Sequence, residues 1–157
     1  MRKRILQDDV SAVAGNDQSW LDLDRIARVD ITSEDADHPI ESALLSHAGP
    51  GWQASGPGEQ VICLLFDVPI QLRRILLVFD EQQHARTQEF SLRWSSDGGQ
   101  SYQPLFRQQY TFSPSGATRE EEDYTVSLDG LTNLELRIVP DISGGEARAS
   151  LARLQLA

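Results

Sequence analysis

Residues 90–110, FSLRWSSDGGQSYQPLFRQQY, decide the fold. Phe90, Leu92 and Trp94 alternate with Ser91, Arg93 and Ser95, the period of two that a half-buried strand imposes. The chain breaks at Asp97-Gly98-Gly99 and resumes with Tyr102, Leu105 and Phe106. Aspartate closes a tight turn with its side chain, and glycine takes the positive φ values that other residues resist. The economical reading is a β-hairpin, and with it an antiparallel β protein.

Working outward, Ala27, Val29 and Ile31 alternate as a first strand, and Asp37-His38-Pro39 opens a short helical turn with Asp37 as its candidate cap. GPGW and ASGPGE read as a loop around Trp52. Residues 60–68, QVICLLFDV, are apolar on both faces, as in a covered central strand, and RRILLVF follows as a second such strand after a break at Pro69. Beyond the hairpin, FSPSGATREEED is a polar loop, and its run Glu120-Glu121-Glu122-Asp123 reads as the solvated start of a strand whose like charges discourage edge pairing. Tyr124, Val126 and Leu128 alternate, as do Leu134, Leu136 and Ile138, and again Ala152, Leu154 and Leu156, with Asp129-Gly130 and Gly144-Gly145 punctuating the connections. About eight short strands result, and only two facing sheets bury all their apolar faces at once. The expected fold is an all-β, antiparallel jelly-roll sandwich with one short helical turn, spanning residues 25–157. Residues 1–24 form an arm, in which Leu6, Val10, Val13 and Ala14 are spaced for a short helix.

Composition narrows the functional classes. A chain of 157 residues holds one well-buried core. Its net charge of −10 disfavours nucleic acid and anionic membrane as partners. No run approaches the roughly 20 apolar residues that span a bilayer, and none serves as a secretory leader, so a cytoplasmic location is expected. Cys63, the single cysteine, excludes an internal disulfide and reads as a small core hydrophobe within VICLLF. His38, His47 and His84 lack zinc-site spacing, and no nucleophile elbow or phosphate loop occurs, so no catalytic residue is assigned.

The order of strand, acidic loop DITSEDADHPIESALL, Gly51-Trp52 and GEQVICLLFDVPIQLRRILLVF resembles the galactose-binding-like superfamily, which includes the discoidin, or coagulation-factor type C, domains. The closing SLARLQL is similar to their last strand, and SSDGGQSY stands where they often carry S-x-D-G. The same octapeptide resembles the Asp-box of sialidase propellers, a structural turn that recurs once per blade there and appears once here. The resemblance implies a non-catalytic binding module, often for carbohydrate. It also implies a candidate structural calcium in the loop after the first strand, where Glu34, Asp35 and Asp37 supply carboxylates; helix capping and solvation explain the same residues.

A sugar site needs an aromatic face and forked polar groups. The residues placed for this in or beside loops are Trp52, His84, Arg86, Tyr110, Phe112 and Arg119. Trp52 equally fits a plug at the sandwich end, and Arg86 a salt bridge to Glu81 or Glu89. Two functions follow as expectations: a module that grips a carbohydrate-like ligand through loops at one end, or an adaptor that holds a protein partner on the same scaffold. Oligomeric state is left open.

Overall fold

The computed structural model describes residues 19–45 and 49–157; the helix expected over residues 5–14 lies outside them. Among the described residues, two single-turn helices, α1 (Leu23–Ile26) and α2 (Glu41–Leu44), accompany eight strands: β1 (Ala27–Ile31), β2 (Trp52–Pro57), β3 (Gln60–Asp80), β4 (Arg86–Ser95), β5 (Gln103–Phe112), β6 (Arg119–Val139), β7 (Arg148–Leu151) and β8 (Arg153–Leu156). The pairings among these strands are antiparallel. The hydrogen-bonded order is β1-β3-β6-β4-β5 with β8 on β3, while β2 and β7 form a separate ribbon.

β3 and β6 build the sandwich. Each runs 21 residues and belongs to both layers. The first part of β3 pairs with β1 and with the last part of β6, which also carries β4. The second part of β3 pairs with β8 and with the first part of β6. The register shifts between Leu65 and Ile70, again before Leu72 and again before Arg74, so the ladder bends there. Two ring contacts show the layers face to face. Phe79 of β3 stacks on Phe90 of β4 at 5.3 Å, and Phe106 of β5 stacks on Tyr124 of β6 at 3.8 Å, although neither strand pair is adjacent in the hydrogen-bonded order. The apolar alternation is carried by Ile62 and Leu64 on β3 and by Leu134, Leu136 and Ile138 on β6, all buried in one core with Leu77, Leu92 and Leu154.

The all-β sandwich agrees with expectation, but its partition differs. Pro69 does not end a strand, and Asp129-Gly130 is not a connection: both lie inside long strands, at the bend. A residue without an N–H and a glycine at φ 72° suit a place where the ladder is interrupted. The stretch read as a loop around Trp52 is β2, paired with β7. Asp37 does not cap the helical turn; the Glu34 carboxylate does the neighbouring work, accepting from Ile40 N–H at 2.9 Å. The start of β6 is not solvated throughout, because Glu120 is buried. Of the expected arm, Leu21 N–H donates to Leu156 O and Leu23 enters the core. Among the described residues, no helix is long and apolar enough to cross a membrane.

The hairpin turn consumes the Asp-box residues. Ser95 Oγ donates to Asp97 Oδ1 and accepts from Gly99 N–H, while Ser101 donates through both N–H and Oγ to the Asp97 carboxylate. The Ser101 and Ser95 hydroxyls hold that carboxyl well below the usual range.

Candidate functional site

At the end of the sandwich where β3 finishes and β4 begins, a groove of about 900 Å³ opens. One wall is the β2–β7 ribbon with His38, Gln53, Arg148 and Ser150; the other is made by the β3–β4 connection and by the loop of residues 141–147. Trp52 and Arg86 line it as well.

Arg86 sets the shape of that second wall. Its side chain is 1% exposed, its Nε donates to Glu81 Oε1 at 2.8 Å, and its Nη1 donates to Pro140 O at 2.7 Å. Its guanidinium also lies 4.8 Å from the centre of the Phe112 ring. Glu81 Oε2 in turn accepts from the Gln83 and His84 amides, so one buried cation ties the β3–β4 connection to the loop that begins after Pro140. Burial works to raise the Glu81 carboxyl, but the Arg86 and amide hydrogen bonds outweigh it and hold the group below its ordinary range.

Behind Arg86 a polar chain continues into the interior. Arg86 Nη1 meets Gln88 Oε1 at 3.3 Å, and Gln88 Nε2 donates to Glu120 Oε1 at 3.1 Å. Glu120 is 1% exposed. Burial, reinforced by the hydrogen bond and negative charge of Glu122, pushes its carboxyl up to about 8.

Three of the six expected ligand residues therefore converge on the groove, with altered roles. Trp52 is the plug: it is 1% exposed and its Nε1–H donates to Ser33 O at 3.0 Å, so its ring offers no stacking face. Arg86 is a brace, through the expected pair with Glu81. His84 is exposed on the lip. The other three lie apart from the groove lining. Phe112 is fully buried beneath Arg86, Tyr110 Oη donates to Arg119 O, and Arg119 pairs with Asp80 and Glu121 on β6 rather than standing in a loop.

The acidic triad does not converge. Glu34 serves Ile40, Asp35 holds His38 Nδ1 at 2.8 Å, and among the described residues no group of three His, Cys, Asp or Glu side chains is gathered for a cation. The His38 hydrogen bond lowers the Asp35 carboxyl and orients the imidazole in the groove lining.

The sequence reading missed Arg148 and Glu120. Arg148, exposed on β7, follows the Gly144-Gly145 turn with no pattern to announce it. Glu120 was signalled, since the alternation of Tyr124, Val126 and Leu128 extends backward through Glu122 to Glu120 on the same face.

No protein-family model matches the chain, and no curated protein does. Solved structures do. A pectin-binding carbohydrate-binding module is 19% identical with a TM-score of 0.59, over 84% of this chain and 90% of that one. The family 32 carbohydrate-binding module of C. perfringens NanJ, solved with galactose, is 13% identical with a TM-score of 0.58, over 83% and 92%. An F5/8 type C domain from Bacteroides fragilis is 14% identical with a TM-score of 0.60, over 88% and 94%. The chain shares with these structures an antiparallel jelly-roll β-sandwich fold. In this jelly roll the groove lies at one end of the sandwich, between the β2–β7 ribbon and inter-strand loops, where binding residues on β scaffolds are commonly carried.

Proposed function

We propose that the chain is a non-catalytic module that binds carbohydrate in the groove between the β2–β7 ribbon and the Arg86-braced loops. The observation that carries this reading is the polar groove at one end of a fold shared with carbohydrate-binding modules. Among those matches, one binds pectin and others were solved with galactose or 4,5-unsaturated mannuronic acid. Because Trp52 is sealed into the floor, recognition here works through hydrogen bonds to hydroxyls and ring substituents. His38, Gln53 and Arg148 are placed to make them, without a stacked aromatic ring.

A glycan array spanning neutral and uronic-acid oligosaccharides, followed by calorimetry on the hits, tests this. Arg148→Ala is expected to weaken binding by about tenfold, in line with loss of a charge-assisted hydrogen bond, while leaving the melting temperature unchanged. Blank arrays at high protein concentration, or full affinity in Arg148→Ala and His38→Ala alike, would overturn the assignment.

A further inference from the structure

Among the described residues, with the carboxyls ionised, the buried polar chain behind the groove leaves two atoms without hydrogen-bond partners, Arg86 Nη2 and Glu120 Oε2. One is a donor on a cation and the other an acceptor on a carboxyl, and Gln88 touches both residues. Buried orphans of opposite kind on one bridging amide are costly to leave unmade, and each suits the other. A proton on Glu120 provides one solution, because it lets the Glu120 and Glu122 carboxyls share a hydrogen bond. Without that proton, Glu120 becomes a second buried carboxylate seeking the guanidinium that Glu81 already holds.

We propose that Arg86 is a two-position clamp: Glu81 and Glu120 compete for its guanidinium, and release to solvent of the proton shared by Glu120 and Glu122 draws Arg86 inward and frees the β3–β4 lip of the groove. This concerns regulation of the binding site and rests on the carbohydrate-binding reading for its biological meaning. Among the described residues, the groups facing Glu120 leave Arg86 as the cation available to it. β4 presents Arg86 and Gln88; β6 itself presents Glu122 and, beyond it, Tyr124, whose Oη meets Glu122 Oε1 at 3.4 Å. On β3, Phe79 and Leu77 are the register partners of Glu120 and Glu122. β5 shows Gln108, Tyr110 and Phe112, the register partners of Phe90, Gln88 and Arg86. The elevated Glu120 carboxyl, near 8, puts the exchange within a mildly alkaline range. The lip responds because Glu81, relieved of Arg86, is the same carboxylate that gathers the Gln83 and His84 amides.

Carbon-detected NMR of the free protein between pH 6 and 10 decides it. The Arg86 Nε signal and the Gln83 and His84 amides are expected to shift together with one midpoint near 8 in the wild type. In Glu120→Gln they stay flat, and in Glu122→Gln the midpoint falls because the neighbouring negative charge is gone. Flat wild-type signals, an unchanged titration in Glu120→Gln, or an unmoved midpoint in Glu122→Gln would each overturn the clamp. With a sugar from the array in hand, affinity should drop about fivefold or more across the midpoint in the wild type and not in Glu120→Gln. A pH-independent affinity in the presence of the NMR titration would refute the link to binding. If no sugar binds, the function assignment fails while the spectra still judge the clamp.

Discussion

At the scale of single residues, Glu120 carries the strongest upward carboxyl shift among the described residues. Its carboxyl is raised from 4.5 to about 8 in the fold, so the native state holds a proton that the unfolded chain has already lost in that interval. The stabilisation this gives is complete below the unfolded value and disappears as pH climbs through the folded one. Urea denaturation at pH 6 and pH 9 should therefore show the wild type losing stability on going alkaline. Glu120→Gln, which keeps an acceptor for Gln88 and never ionises, should be the more stable protein at pH 9 by about 2 kcal/mol. Equal loss in both proteins would contradict the assignment. The residue scale is also where the sequence is hardest to read. Arg86 looks identical as a ligand fork and as a buried brace until Glu81 and Pro140 O are seen on either side of it. Trp52 likewise offers a platform on paper and a sealed floor in space, since exposure is a property of what packs above a ring and not of the ring.

At the scale of elements, local signals were legible and long-range ones were not. The hairpin of β4 and β5 stands where the period-two pattern and the Asp-Gly-Gly turn place it, and Arg93 over the Tyr102 ring at 4.1 Å reinforces its outer side. Pro69 and Asp129-Gly130 carry true local chemistry as well, for each disrupts the ladder. Whether a disruption ends a strand or bends it depends on the partner strand, and Ile70 meeting Leu131 across the bend supplies that answer from far along the chain. β2 was missed for the same reason: in WQASGP the apolar alternation is only Trp52 and Ala54, too short to stand out beside the Gly-Pro that follows, and the segment becomes a strand through its pairing with β7. At the bend, Gly130 sits at φ 72° with open space around a would-be Cβ, so Gly130→Ala should cost about 1 kcal/mol from backbone conformation alone. A shift of the urea midpoint measures it, and an unchanged midpoint would show that the bend tolerates an ordinary residue.

For the whole molecule, the fold class follows from composition and pattern because a two-layer sandwich is the economical way to hide so many period-two faces. The end-on groove does not follow, since it depends on which loops the crossing strands bring together. Behind its polar lining lies a core in which the Phe79–Phe90 stack links the layers. Phe79→Ala should cost about 3–5 kcal/mol, because both rings are fully buried and the cavity lies between two sheets that cannot close independently. Thermal or urea unfolding gives the value, and a loss under 1 kcal/mol would mean the layers repack freely.

That interdependence has a dynamic counterpart. Since β3 and β6 pass together from one layer into the other, no seam exists along which half of the sandwich could breathe alone. Backbone amides at Leu64 and Leu77, in different layers along the continuous strand β3, should trade hydrogen for deuterium at the same slow pace, released by a single global opening. Widely separated exchange rates at those two amides would reveal a subdivision that the continuous strands forbid.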